Sequence, residues 1–200
     1  MFKLLIRTLA VALVLAPLGA AGLPIVNVTK PDLTDLGPNP LATFSAGTVF
    51  QNVTGSQWNR RSPYDKGPAA LLNSASYTSV SGGASATYDF GSSRTLLSLL
   101  WGSPDSYNTL KFFFEGAPVG SVGGSDIVSN PGFEFSSGSG YGFVTVTGLT
   151  FDSVTFKSGS NAFEFAGLSA VPLPGAVWLF GSFLLGLAGY NSRKRRVRGG

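Results

Sequence analysis

The sequence contains no cysteine and no histidine among its 200 residues. Without cysteine the chain forms no disulfide, even in an oxidising compartment, and it has no thiol nucleophile. The two absences together exclude Ser-His-Asp triads and zinc sites built from His and Cys. Most hydrolase mechanisms are thereby removed, and we expect no cofactor.

Charged residues are scarce and unevenly placed. The chain has 14 Lys and Arg against 10 Asp and Glu, and all ten acidic residues lie between positions 23 and 170. Seven of the cations lie at the two ends: Lys3, Arg7, Arg193, Lys194, Arg195, Arg196 and Arg198. The central part therefore carries seven cations and ten anions, a net charge of −3. Because a mildly acidic domain does not attract phosphate backbones, we expect no nucleic-acid partner.

Residues 1–22 have the pattern of a cleavable secretory signal peptide. Lys3 and Arg7 form a positively charged N-terminal region. The apolar run at 9–15 is too short to span a membrane well, and the small residues at 17–22 offer a cleavage site. This pattern predicts that the remainder of the chain is exported.

Residues 171–200 have three parts in a fixed order. The first is a short, stiff segment: Val171, Pro172, Leu173 and Pro174. An uncharged run follows, and its apolar and interfacial residues are Ala176, Trp178, Phe180, Leu184, Leu185, Leu187 and Tyr190. The third part is a basic cluster that resists translocation and is expected to stay in the cytoplasm: Arg193, Lys194, Arg195, Arg196 and Arg198.

The length of the uncharged run suits a single transmembrane helix. Pro172 to Tyr190 is 19 residues. At about 1.5 Å per residue such a helix reaches roughly 28 Å, close to the thickness of the hydrocarbon core. The alternative, a buried helix of a soluble domain, does not explain five cations within six residues at its end.

This three-part tail resembles the PEP-CTERM sorting signal of Gram-negative bacteria, in which a Pro-x-Pro box precedes a short transmembrane helix and an Arg-rich end. Leu173 stands where that family usually has Glu. The resemblance implies recognition by an exosortase, a membrane-embedded cysteine transpeptidase-like enzyme that cuts near the box. It also implies an inner-membrane-anchored precursor with a periplasmic domain, which is later sorted to the cell surface or extracellular matrix.

Residues 23–170 are expected to form an all-β ectodomain, either a β-sandwich or a jelly roll. Short alternating or continuous apolar stretches are separated by Gly, Ser, Pro and Asp turn signals. The predicted strands are residues 41–50, 84–90, 95–101, 109–115, 118–122, 141–147, 151–157 and 161–168. Gly91, Ser92 and Ser93 are expected to end the second of these strands. No convincing helix is expected between positions 30 and 170, apart from one turn within 65–73.

A second resemblance covers roughly residues 75–170. Residues 100–110 (LWGSPDSYNTL), 124–127 (GSDI) and 161–165 (NAFEF) are similar to a recurring ectodomain of exosortase-dependent surface proteins. Ser160 stands where a Gly usually precedes the last of these motifs. The resemblance supports the class of protein and implies no biochemical activity.

Oxygen-bearing side chains offer two kinds of candidate chemistry. Asp105, Asn108 and Asp126 are candidate calcium ligands, but short polar residues in turns more often bond to their own backbone. Glu134 and Glu164 are a candidate pair of glycosidase carboxylates. The strand alternation predicts that both lie on solvated faces between phenylalanines, which argues against catalysis.

Aromatic residues offer a third possibility, stacking on sugar rings. Trp58 and Tyr64 lie in a predicted exposed loop at 54–68 and are the candidate glycan contacts. Trp101 ends an apolar strand pattern and is predicted to belong to the core.

These observations predict an exported surface protein with no enzymatic activity. We expect a structural or adhesive role in exopolysaccharide or biofilm, with the exosortase, the inner membrane and the exopolysaccharide as partners. The first alternative is a carbohydrate-binding module of the extracellular matrix. The second is a secreted glycoside hydrolase.

Overall fold

The computed structural model describes residues 22–30, 33–65, 67–133 and 140–172 of the chain. The predicted signal peptide up to residue 21 lies outside the described residues. So do Leu173, Pro174, the predicted transmembrane segment and the basic cluster. Within the ranges just given, no helix is long and apolar enough to cross a membrane.

The described part of the chain is mostly β-strand, which confirms the all-β prediction. Two short helices interrupt the strands. The elements are β1 (Ile25–Thr29), β2 (Thr43–Ala46), β3 (Val49–Val53), α1 (Ala69–Ser74), β4 (Tyr77–Val80), β5 (Ser85–Gly102), β6 (Asn108–Phe114), β7 (Ala117–Gly123), α2 (Gly124–Val128), β8 (Tyr141–Thr147), β9 (Phe151–Ser158) and β10 (Phe163–Pro172).

The described strands form one antiparallel sheet that is joined through the long strand β5. The first part of β5, residues 85–89, pairs with β2 and β9, and β9 continues to β6 and β7. The second part, residues 94–102, pairs with β10 and β8, and Arg94 also pairs with Phe151 of β9. From there the sheet continues to β4 and β3 on one side and to β1 on the other. Strand β5 therefore belongs to two groups of strands.

Gly91 marks the point at which β5 changes partners. Its φ is +64°, and the pairing register with β9 shifts between Asp89 and Arg94. Glycine reaches this conformation without the steric cost that other residues meet. The sequence predicted that Gly91 ends one strand before a second begins. The structure instead has one continuous strand, because the glycine redirects the backbone without ending its pairing.

Aromatic rings from the two groups of strands pack on one another in the main core. The Phe156 ring of β9 stacks on the Phe165 ring of β10, with centroids 4.0 Å apart. Tyr88 meets both rings edge-on, at 5.3 and 6.0 Å. Trp101 is fully buried and stacks on Phe163 at 4.2 Å, which confirms its predicted place in the core. Aromatic pairs of this kind contribute about 0.5–1.5 kcal/mol beyond the area that they bury.

A second, smaller cluster covers the opposite face of β10. It consists of Tyr64, Ala75, Tyr77, Leu100 and Ala166. Successive residues of a strand point to opposite faces, so Ala166 lies on the other side of β10 from Phe165. The segment between β3 and β4 supplies Tyr64 and Ala75 to this side. As a result, β10 is covered on both faces over residues 163–166, all of which are buried.

Several elements differ from the sequence-based expectation. The strand predicted at 41–50 is divided into β2 and β3, and β1 and β4 were not predicted. Helix α2 was not predicted, because five residues are too few to show a helical period. The side chain of Asp126 closes its first turn by accepting a 2.8 Å hydrogen bond from the Gly123 N–H. Strand β10 also extends past the predicted domain boundary at residue 170, since Val171 pairs with Leu96.

Candidate functional site

A tight hairpin after β3 presents Trp58 to solvent. The backbones of Gln57 and Arg60 exchange hydrogen bonds of 2.8 and 3.2 Å, which leaves Trp58 and Asn59 at the tip of the turn. The guanidinium of Arg60 lies 4.4 Å above the centre of the Phe50 ring, a cation–π contact that ties the hairpin to β3. Trp58 is 94% exposed, which agrees with the predicted exposed loop.

Tyr64, the second candidate glycan contact, is fully buried. Its ring belongs to the smaller cluster, and its hydroxyl accepts a 3.4 Å hydrogen bond from the Leu36 N–H. Burial raises the pKa of Tyr64. The prediction that Tyr64 contacts a glycan is therefore wrong. The segment at 61–65 turns back onto the sheet, and the ring covers the face of β10 that alternation alone leaves open.

A pocket of about 460 Å³ lies between this hairpin and the loops beside it. The hairpin contributes Trp58, Asn59 and Arg60, the loop after β5 contributes Asp105, and β10 contributes Glu164. Pockets that hold small ligands measure about 300–1,000 Å³. The volume lies within this range, and the lining mixes polar and aromatic side chains.

Glu164 lies in this pocket and is only 2% exposed. Its Oε1 accepts a 2.9 Å hydrogen bond from the Arg61 N–H, whereas Oε2 has no hydrogen-bond partner among the described residues. Burial raises the pKa of Glu164 to about 7. The charge of Asp105 contributes to the same rise in pKa, and the bond from the Arg61 N–H opposes it.

The prediction that Glu164 faces solvent is wrong. Alternation places Glu164 on the face of the strand that Phe163 and Phe165 do not share. In antiparallel sheets one face is commonly packed on the core and the other is exposed to solvent. Here the segment around Tyr64 covers that face. The sequence does carry a signal for this, because Ala162 and Ala166 share the parity of Glu164 and are apolar.

Two further polar atoms beside the pocket are buried without a hydrogen-bond partner among the described residues. They are Oδ1 of Asn59 and Nε of Arg60. Leaving such an atom unsatisfied costs about 1–3 kcal/mol, and most buried polar atoms in proteins are satisfied. Three unsatisfied atoms, counting Oε2 of Glu164, thus gather around one pocket. Sequence reasoning did not identify Asn59 or Arg60.

The loop after β5 is tied to the chain segment that precedes β10. The Tyr107 hydroxyl lies 2.7 Å from both Oδ2 of Asp105 and the carbonyl oxygen of Asn161. Burial, and then the neighbouring Asp105 carboxylate, raise the pKa of Tyr107. Asn108 is buried and donates a 3.1 Å hydrogen bond to the Ala162 carbonyl. These bonds hold one wall of the pocket in place.

The three candidate calcium ligands therefore have structural partners. Asp126 closes the first turn of α2, Asp105 bonds to the Tyr107 hydroxyl within its own loop, and Asn108 joins that loop to the segment before β10. Across the described ranges, no three His, Cys, Asp or Glu side chains form a group that could hold a metal ion. Of the candidate glycosidase pair, Glu134 lies outside the described residues, so only Glu164 is placed. The carboxylate that shares its pocket is Asp105.

No protein-family model, no curated protein and no solved structure shows a significant match to this chain. Two features of the chain therefore bear on its function. One is the pattern of the two ends of the sequence, and the other is the pocket between the hairpin and β10.

Proposed function

We propose that this chain is an exported cell-surface or extracellular-matrix protein that is sorted, and cleaved near its C-terminus, by an exosortase. The observation that carries the proposal is the order of features in the last 30 residues. A Pro-x-Pro box is followed by an uncharged run long enough to span a membrane as a helix, and then by a basic cluster. The signal-peptide pattern at the other end is consistent with the same topology. On this proposal the part between them has a structural or adhesive role in exopolysaccharide or biofilm.

The fold suits an exported domain that has no disulfide. We infer that the two groups of strands that share β5 form the two layers of a β-sandwich of the jelly-roll type. The support is the contact of Tyr88 and Phe156, from one group, with Phe165, from the other. A core of this kind gives stability outside the cytoplasm without cross-links.

A carbohydrate-binding module is the second candidate, and the exposure of Trp58 favours it. An indole that is 94% exposed at the tip of a closed two-residue turn contributes almost nothing to the core. A flat aromatic side chain held this way offers a stacking surface to the apolar face of a sugar ring. Binding of matrix glycan at this position fits the adhesive role.

Mass spectrometry of the protein from its native cells tests the sorting proposal. We expect the surface form to begin close to residue 23 and to lack the basic cluster at 193–198. We also expect its last residue to be Pro172 or a later one, because cleavage at any bond before the one between Pro172 and Leu173 would remove part of β10, which ends at Pro172. A surface form that keeps an intact basic cluster would rule out processing.

A further inference from the structure

We propose that the pocket between the Gln57–Arg60 hairpin and β10 binds a neutral, hydroxyl-bearing sugar residue. The inference rests on the carbohydrate-binding function proposed above and names its site. The ring of the sugar lies on Trp58, and its hydroxyls bond to Asn59, Arg60 and Glu164. The sequence alone identified Trp58 as a candidate glycan contact and Glu164 only as a candidate glycosidase carboxylate, and it did not identify Asn59 or Arg60.

The three unsatisfied atoms determine the chemical class of the ligand. Oδ1 of Asn59 only accepts hydrogen bonds, and Nε of Arg60 only donates them. Oε2 of Glu164 accepts when the carboxyl group is ionised and donates when it carries a proton at that oxygen. A sugar hydroxyl both donates and accepts, so neighbouring hydroxyls satisfy all three atoms.

Charged ligands match this set less well. A metal ion or an amine suits the carboxylate of Glu164 but is repelled by the guanidinium of Arg60. A phosphate or a carboxylate suits Arg60 but meets the acidic groups of Glu164 and Asp105, which line the same pocket. The mixture of both signs within one pocket therefore favours a neutral ligand.

The apolar part of the pocket suits a sugar ring as well. Pro104, Val128 and Phe133 lie in the lining beside the polar groups, and Trp58 stands at its edge. Sugar rings present C–H groups on one face and hydroxyls around the rim. A site with an aromatic platform and a few polar groups is complementary to such a molecule.

Binding at this depth requires the hairpin to move. The three unsatisfied atoms are closed to solvent in this structure. A ligand hydroxyl reaches them when the tip, which carries the exposed Trp58, shifts away from β10. The 2.9 Å bond from the Arg61 N–H to Oε1 of Glu164 lies just beyond the hairpin and leaves Oε2 available to the ligand.

Isothermal titration calorimetry on the full-length chain in a mild detergent tests the site. The probes are neutral tetrasaccharides of glucose, galactose, mannose and N-acetylglucosamine, together with a tetramer of galacturonic acid as the anionic comparison. We expect at least one neutral probe to bind, and to bind more tightly than the anionic one. Trp58→Ala, Asn59→Ala and Glu164→Gln are each expected to weaken binding at least tenfold.

Two control variants remove similar groups outside the pocket. Leu41→Ala removes a side chain that is 79% exposed, and Glu115→Gln neutralises an exposed carboxylate on the turn between β6 and β7. Both are expected to bind the probe like the unmodified chain. A thermal melt of each variant separates loss of a contact from loss of the fold. Asn59→Ala changes a residue at the tip of the turn, so it keeps the test decisive if Glu164→Gln unfolds.

Four results would overturn the inference. If no neutral probe binds, the assignment of a sugar site to this pocket is wrong. Processed termini in the mass spectrometry experiment would still support the sorting proposal in that case. If Trp58→Ala alone weakens binding, the glycan lies on the hairpin and not in the pocket. Tighter binding of the galacturonic acid tetramer would refute a neutral ligand. Hydrolysis of a probe, lost in Glu164→Gln, would make the site a catalytic one.

Discussion

Asn39 and Leu168 are joined by a 2.9 Å hydrogen bond, in which the Leu168 N–H donates to Oδ1 of a residue 129 positions earlier. Leu168 lies where the pairing of β10 with β5 shifts register, beside Gly167 with φ +61°. A bulge of this kind leaves backbone groups without a partner in the neighbouring strand. The same amide donates to the Phe165 carbonyl at 3.1 Å. Asn39 thus satisfies the irregular part of β10 and attaches the proline-rich N-terminal segment to it.

Replacing Asn39 with alanine is expected to lower the free energy of unfolding by about 3 kcal/mol. The change leaves the Leu168 N–H and the Phe165 carbonyl buried without this partner, at about 1–3 kcal/mol for each group. Urea denaturation of the full-length chain measures the difference. Asn27→Ala, at an exposed position of β1, is the matched control and is expected to change stability by less than about 0.5 kcal/mol. Equal effects of the two variants would contradict the role of Asn39.

Glu164 is expected to make stability depend on pH. Its pKa is about 7 in the folded state and 4.5 in the absence of the fold. As pH rises from 4.5 to 7, the unfolded chain loses this proton while the folded chain keeps it, so stability falls. The loss is complete above pH 7 and amounts to about 3 kcal/mol, at roughly 1.4 kcal/mol for each pH unit.

The variant Glu164→Gln isolates this effect, because its amide does not titrate in that range. We expect the free energy of unfolding of the variant to fall less steeply than that of the unmodified chain between pH 4.5 and 7. Glu115→Gln, whose carboxylate is exposed, should follow the unmodified chain. Chemical denaturation at five pH values checks this. Parallel curves for all three proteins would show that the pKa of Glu164 does not change on folding.

Much of the sheet was predictable because alternation of apolar and polar residues indicates a strand with one face packed against the core. The patterns at 141–147 and 151–157 coincide with β8 and β9 almost to the residue. The apolar run at 95–101 coincides with part of β5, and its residues Leu99 and Leu100, on opposite faces of the strand, are both fully buried. The alternation of apolar and polar residues does not indicate which distant segments pair with one another. The change of partners at Gly91 depends on contacts that no local signal carries.

The candidate site was predictable only in part, for a related reason. An exposed loop with a tryptophan is visible in the sequence, and Trp58 is exposed. Whether a polar residue on the second face of a strand is solvated depends on what a separate loop covers. Tyr64 and Glu164 were both placed wrongly because the segment between β3 and β4 packs over β10, and composition does not show where a loop packs.

Gly124→Ala is expected to destabilise the fold and to disturb the pocket. A Cβ at this position would stand 2.1 Å from the Asp105 carbonyl oxygen and 2.9 Å from the Pro104 carbonyl carbon. Both are backbone atoms, so the loop itself has to shift, and overpacking of this kind costs about 1–3 kcal/mol. Urea denaturation measures the loss. Gly159→Ala is the control, since its Cβ would approach other atoms only to 3.4 Å. Similar stability of the two variants would contradict this close packing.

Tyr64→Ala should lower the stability of the fold, whereas Trp58→Ala should weaken glycan binding and leave stability almost unchanged. Tyr64 is fully buried, and removal of a large aromatic side chain from a core costs about 3–5 kcal/mol. Trp58 is 94% exposed, so its removal should change the free energy of unfolding by less than about 0.5 kcal/mol. Thermal melts of the two variants measure the contrast. Composition does not distinguish the two residues, and the difference arises because one lies at the tip of a closed turn and the other where the chain returns to the sheet. A destabilised Trp58→Ala would mean that the hairpin tip packs against the domain and is not available to a ligand.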